Sequence, residues 1–263
     1  MKLNIAGILI CLLLPAGCAA DNVPIAPKAM PPLQFDSHFP VISDEGGAPA
    51  KVLLRVKGTP GKPHQNWHQT VYWDATSGLT AILDYETESQ ILSVQNGVIT
   101  GQSTELDLVA ERDDFHTAAK MRAHLVGHNF TYSLDPLGNL VKSSDPYAGV
   151  FYNFPTAPVG MGAMWSGSIW RHKLKLPLVF RVDKIIEHKR RVYVQLTATI
   201  PGTPVKDRWW LDVNTGGTAG HEYLDEVVLK NGHIFVSRSY SLPHPPSLAA
   251  APAPTAAGPH LEW

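Results

Sequence analysis

Arg191-Val192-Tyr193-Val194-Gln195-Leu196-Thr197-Ala198-Thr199-Ile200 is the stretch that decides the fold. In an extended chain, Val192, Val194, Leu196, Ala198 and Ile200 share one side. Tyr193, Gln195, Thr197 and Thr199 share the other. A strand with one apolar and one polar face belongs to an antiparallel sheet that is packed on one side and wet on the other. The same period extends outward. Leu178, Phe180 and Val182 alternate with Arg181 and Asp183, and the charged loop Glu187 to Arg191 joins the two strands. Further back, Leu106, Leu108 and Ala110 oppose Glu105, Asp107 and Glu111.

Turn chemistry agrees with this period. Asn96-Gly97 and Asn231-Gly232 are hairpin signals, because both central residues of a type I′ turn need φ > 0. Asp135-Pro136-Leu137-Gly138-Asn139 and Asn214-Thr215-Gly216-Gly217 are further turns. Alternation from Val52 to Leu242 accommodates roughly ten to thirteen strands. The expected fold is all-β: an antiparallel meander curling into a strongly curved sheet, a half-barrel or a barrel-like sandwich. Helix is scarce. Its best candidates are Asp113 to Met121 and the segment from Pro146 to Phe151. One β domain over 35–242 is expected. The alternative is a division into two lobes near 145–158, where Pro146, Pro155 and Pro158 interrupt the strands.

The chain opens with Lys2, an apolar run from Ile5 to Leu14, and Pro15-Ala16-Gly17-Cys18-Ala19-Ala20. A basic start, a short apolar segment and a small-residue end make an export signal. The run is too short for a spanning helix, which needs about 20 apolar residues. Ala16-Gly17-Cys18 after a leucine run resembles the lipobox of bacterial lipoproteins, with Pro15 where that family usually has Leu. The resemblance implies a signal over 1–17 and Cys18 as the lipidated first residue. Thioether-linked diacylglycerol plus an N-acyl chain such as palmitate would exceed the two signals that stable anchoring needs. Ala19 rather than Asp after the Cys implies the outer membrane, facing the periplasm. Ordinary cleavage near 19 or 20, giving a soluble exported protein, is the alternative. Residues 18–34, with Pro24, Pro27, Pro31 and Pro32, make a stiff tether. Residues 243–263, rich in Pro and Ala, form a disordered tail. The final Trp263 is not the end of an alternating strand, so it does not mark a membrane barrel.

Both cysteines, Cys11 and Cys18, lie in the export segment. A cysteine nucleophile, a zinc–cysteine site and an iron–sulfur cluster are thereby excluded from the domain. Net charge is −1, and no basic patch points to nucleic acid. At the proline interruption the chain runs Pro155-Thr156-Ala157-Pro158-Val159-Gly160 to Trp165, and later Asp212-Val213-Asn214-Thr215-Gly216. This Pro-Val…Gly…Trp element followed by an Asp-x-x-Thr-Gly turn resembles a pattern in uncharacterised bacterial β-rich envelope lipoproteins. The likeness covers about Lys51 to Leu242. It implies a curved half-barrel of the kind that carries lipids or lipoproteins across the periplasm. It brings no agreed catalytic residues.

Twelve histidines suggest metal chemistry. His124 falls in an alternating strand context, where i,i+4 spacing would place it about 13 Å from His128 unless Gly127 bulges the chain. His64 and His68 sit in a Pro/Gly-rich approach that could be helical, with no third ligand indicated. No metal and no cofactor are expected. Asp84, Glu86 and Glu88, like Glu105 and Asp107, are same-face neighbours about 7 Å apart in strands, a spacing that permits acid–base work and is also that of an ordinary wet face. Ser166 and Ser168 have no sequence-level base, and His221-Glu222 is a bare dipeptide. Asn129-Phe130-Thr131 fits a glycosylation sequon, which means little behind a bacterial signal. No nucleophile elbow or phosphate loop is present, so no catalytic residues are assigned. The aromatics carry the sharpest hint. Trp67 and Trp73 bracket one strand, Trp165 and Trp170 another, and Trp209-Trp210 are adjacent, so one of the last pair must lie opposite the core. Trp165, Trp170, Trp209 and Trp210 are the ligand-contact candidates. The expected function is non-enzymatic: a membrane-tethered protein binding a lipid or other apolar ligand, or an envelope protein, on a curved sheet. A contact scaffold and a hydrolase using Asp/Glu and His are the alternatives.

Overall fold

In a computed structural model, residues 44–61, 63–144, 149–171, 174–203, 206–228 and 234–243 are described. The expected signal, Cys18 and the tether lie outside these residues, as does the expected tail beyond Pro243. The strands are β1 (His64–Asp74), β2 (Thr80–Gln95), β3 (Val98–Asp113), β4 (Asn129–Leu134), β5 (Leu140–Ser143) and β6 (Gly149–Phe151). They continue as β7 (Met164–Arg171), β8 (Leu174–His188), β9 (Arg191–Thr199), β10 (Lys206–Asp212), β11 (Thr218–Val228) and β12 (Ile234–Pro243). Among the described residues one helix, α1 (Ala118–Leu125), interrupts them.

All twelve strands form one antiparallel sheet, in the order β5-β4-β3-β2-β1-β12-β11-β10-β9-β8-β7-β6. This is a meander in two arms, joined where β1 pairs with β12. Both sides of the proline interruption therefore belong to the same sheet. The edge strands β5 and β6 are not paired with each other, so the ladder is open. It is nonetheless strongly curled. Leu134 of β4 and Phe180 of β8 share one apolar cluster, although eight places in the sheet order separate their strands. On a flat sheet that separation would be about 38 Å. The two edges meet past the strand ends. Tyr152 N donates to Gly138 O (3.3 Å), Phe154 N to Leu137 O (2.9 Å) and Asn153 N to Asn139 Oδ1 (2.9 Å).

The alternating stretches bury the side expected of them. Val194, Leu196 and Ala198 of β9 face inward beside Leu178, Phe180 and Val182 of β8. Asn96 and Gly97 have φ of 50° and 79°, as a type I′ turn demands. Lys189 and Arg190 form the same geometry, at 50° and 61°, without a glycine. Asn231-Gly232 falls outside the described residues.

Residues 44–61 cross the end of the sheet where these hairpins gather. Glu45 N donates to Glu187 O (2.8 Å), and Val52 exchanges two backbone bonds with Val159 (2.9 and 2.8 Å). Arg55 reaches the carbonyls of Pro155 and Thr156 (2.8 and 3.0 Å), and Lys57 Nζ that of Val213 (2.9 Å). Val52, Leu54 and Val56 turn into the core while Leu53 is exposed. Burying three such side chains contributes roughly 5–9 kcal/mol before entropy is charged. The segment is a strap that closes one end.

At the other end α1 closes over β1–β3. Met121 and Leu125 pack on Tyr85 and Leu108. The helix begins later than the expected Asp113 to Met121. Asp113 finishes β3 and spends its carboxylate as a cap, accepting from Ala118 N (2.7 Å). The expected strand context of His124 is corrected. His124 is in the last turn of α1, and Gly127 at φ 81° then redirects the chain. The two rings of His124 and His128 thus lie 5.7 Å apart instead of about 13 Å. The helical alternative for His64 and His68 is likewise corrected, since both stand on β1. Of the second helix candidate, Gly149–Phe151 is strand β6.

Candidate functional site

The inward face carries two apolar clusters. The larger joins Val52, Leu54 and Val56 to β3, β4 and β7–β10, and the smaller joins β1–β3 to α1. Between them the ladder sets Trp209 (β10), His221 (β11), Ser241 (β12), His68 (β1) and Tyr85 (β2) in register. Here the inward face becomes polar, with His68, Thr70 and Thr87 buried. His68 is 2% exposed, stacks on Tyr85 (4.6 Å, 3°) and meets Thr87 Oγ1 through Nε2 at 2.9 Å.

His221 Nε2 is hydrogen-bonded to Asp207 Oδ1, one diagonal step away on β10, and both side chains are mostly buried. Burial alone would lower the His221 pKa. The Asp207 carboxylate, with Glu222 as a weaker contributor, overrides it, and the net shift is upward. The Tyr152 phenol is pushed up by burial and by the charge of Asp207. The Asp207–His221 hydrogen bond thus lies beside the aromatic cluster.

Trp209 stands at the junction. Its ring meets Tyr152 (5.7 Å), Phe180 (5.8 Å) and His221 (6.3 Å) edge-on. It is 3% exposed, yet its Nε1–H has no hydrogen-bond partner among the described residues. Buried indole N–H groups normally find an acceptor. Trp165 shows the ordinary case: stacked on Phe180 (5.5 Å, 9°), it donates from Nε1 to Tyr152 O at 2.8 Å.

Of the four predicted contact residues, Trp165 and Trp209 come together around Phe180 and Tyr152. Trp170 and Trp210 lie on the opposite face by strand alternation. Trp210 is nevertheless only 4% exposed, and its Nε1 also lacks a partner among the described residues. Asp84, Glu86 and Glu88 occupy the outer face of β2, alternating with buried Tyr85 and Thr87. Asp84 is pushed up to about 6 by burial, opposed by the Gln69 hydrogen bond and reinforced by Glu111. Asp107 pairs with Arg122 of α1 at 2.9 Å. Among the described residues no three His, Cys, Asp or Glu side chains gather as a metal site, and no helix is long and apolar enough to cross a membrane. The Asp207–His221 pair escaped sequence reasoning, because 14 residues separate its members and only the β10–β11 register joins them.

No family model and no curated protein matches the chain. Among solved structures, the chain is similar to the S-type phycobiliprotein lyase CPES from Guillardia theta: 5% identity, TM-score 0.28, covering 69% of this chain and 87% of that one. It is similar to the hypothetical lipoprotein YmcC from Escherichia coli K12, at 11% identity and TM-score 0.27, covering 67% and 86%. A candidate lipoprotein from Parabacteroides distasonis ATCC 8503 gives 12% identity and TM-score 0.26, covering 71% and 97%. Likenesses at this level say nothing of what the chain binds.

Proposed function

We propose that this is a non-catalytic envelope binding protein, tethered to the outer membrane by lipid on Cys18. It takes an amphipathic ligand on the inward face of the curled sheet. The Trp209 N–H carries this reading: a buried donor left unpaired costs about 1–3 kcal/mol, which an acceptor on a ligand would recover. The setting supports it. Binding sites for small molecules are mostly apolar with a few convergent polar groups. The Trp209–His221–His68 row between two apolar clusters has that composition. The ligand's polar end accepts from Trp209 Nε1, and its apolar part lies along the aromatic side formed by Tyr152 and Phe180.

The test is a titration of the full chain with a fluorescent fatty-acid analogue and with the neutral long-chain alcohol of the same length. Saturable one-to-one binding, weakened about tenfold or more in Trp209→Phe, is the expected result. Absence of saturable binding to both probes, or equal affinity in the variant, would overturn the proposal.

A further inference from the structure

Where β6 lies across β7, a pocket opens on the outward face, away from the Trp209 row. Its volume is about 360 Å³, and Asn139, Phe151, Asn153, Ser166, Ser168 and Lys175 line it. Gly167 is what lets β6 lie there. A Cβ at this position would overlap Phe151 O on one side and the Phe180 ring on the other. Asn153 ends the pairing in the left-handed region (φ 48°), a conformation that Asn tolerates better than most residues. Its backbone N–H goes to Asn139 Oδ1 (2.9 Å) and its Nδ2 to Ser166 O (3.2 Å), which fixes the side chain. Ser166 and Ser168, two apart on one strand, share a face.

Lys175 supplies the charge. Its Nζ lies 4.1 Å from the Phe151 ring centroid, a cation–π contact that holds the ammonium over the pocket. No carboxylate pairs with it among the described residues. One positioned cation, two serine hydroxyls and an oriented amide around an aromatic floor complement a ligand that carries one negative charge and several hydroxyls. Size argues the same way. Ligand pockets span roughly 300–1,000 Å³, so 360 Å³ suits a molecule of one or two rings and not a long acyl chain.

We infer that this pocket is a second binding site, for a small polyhydroxylated anion. Calorimetric titration of the full chain with glucuronate, glucose 6-phosphate and glucose tests it. Glucuronate and the phosphate separate carboxylate from phosphate as the recognised group, and glucose reports the uncharged frame. At least one anion should bind tenfold or more tighter than glucose. Lys175→Met should bring that anion down to the glucose level, and Ser168→Ala should weaken it several-fold, with circular dichroism spectra unchanged in both. Equal binding of glucose and both anions, no binding of any of the three at millimolar concentration, or an anion affinity untouched by Lys175→Met would each overturn the inference. The fatty-acid titration of the Trp209 row is independent of every one of these outcomes.

Discussion

Replacing Trp209 with Phe and, separately, Trp165 with Phe distinguishes a spare hydrogen-bond donor from a used one. Trp209→Phe deletes part of a buried ring and Trp165→Phe part of a half-buried one, at about 1–2 and about 0.5–1 kcal/mol. The polar accounts differ. Trp209→Phe removes a donor that has no partner among the described residues, recovering about 1–3 kcal/mol of desolvation cost. Its net effect on the ligand-free protein therefore runs from about 2 kcal/mol of stabilisation to about 1 kcal/mol of destabilisation. Trp165→Phe breaks the 2.8 Å bond to Tyr152 O, adding about 1–2 kcal/mol to the cost of the void. It should destabilise by about 1.5–3 kcal/mol. A gap of about 2 kcal/mol corresponds to roughly 1 M in the urea midpoint for a slope of about 2 kcal/mol/M. Far-ultraviolet circular dichroism is the readout, because the changes alter indole fluorescence. Equal destabilisation by the two variants would refute the reasoning, since Trp209 would then have an acceptor.

Leu54→Ala should cost about 2–5 kcal/mol, measured by the same urea titration, because the side chain is 1% exposed within the strap that closes the sheet. Gly167→Ala should detach β6 from β7, seen as faster hydrogen exchange of the β6 and β7 amides while β9 stays protected. The His221–Asp207 pair makes stability depend on pH. A raised native pKa gives a contribution fully present below about pH 6.5, the unfolded value, and lost as pH rises through the native value. Wild-type melting temperature should therefore fall over that window. In Asp207→Asn burial dominates, and the slope around pH 6 should reverse. Cys18→Ala should move the protein from the membrane to the soluble fraction on cell fractionation, and a variant that stays membrane-bound would contradict lipid anchoring.

Much of the fold was legible in the sequence because the side-chain period of a half-buried strand is written directly into residue order. Val194, Leu196 and Ala198 face the core for that reason, and Asn96-Gly97 turns because few other pairs adopt two positive φ values cheaply. The loop at Glu187 to Arg191 was legible by its charge, but its two positive φ values at Lys189 and Arg190 were not, since neither residue favours that region and the register of β8 and β9 imposes it. His124 misled because Lys120, Arg122 and His124 alternate with apolar neighbours in a way that suits a strand. Burial of Met121 and Leu125 against β2 and β3 selected the helix instead. The candidate site was half visible. Adjacent tryptophans on a strand must face opposite ways, which marked Trp209 and Trp210. Which of them joined Tyr152, Phe180 and the Asp207–His221 pair depended on pairing between strands far apart in the chain. The strap at 44–61 carries an alternating Val52-Leu54-Val56 pattern, yet it crosses the end of the sheet, and nothing local distinguishes that placement from a further strand.

The most direct measurement is mass spectrometry of the organic extract from the full-length protein purified from membranes, alongside its Trp209→Phe variant. The account predicts one amphipathic molecule per protein, bearing a hydrogen-bond acceptor, and its depletion in the variant. An extract with no stoichiometric small molecule from either protein, together with failure of an added fatty-acid analogue to bind, would contradict it.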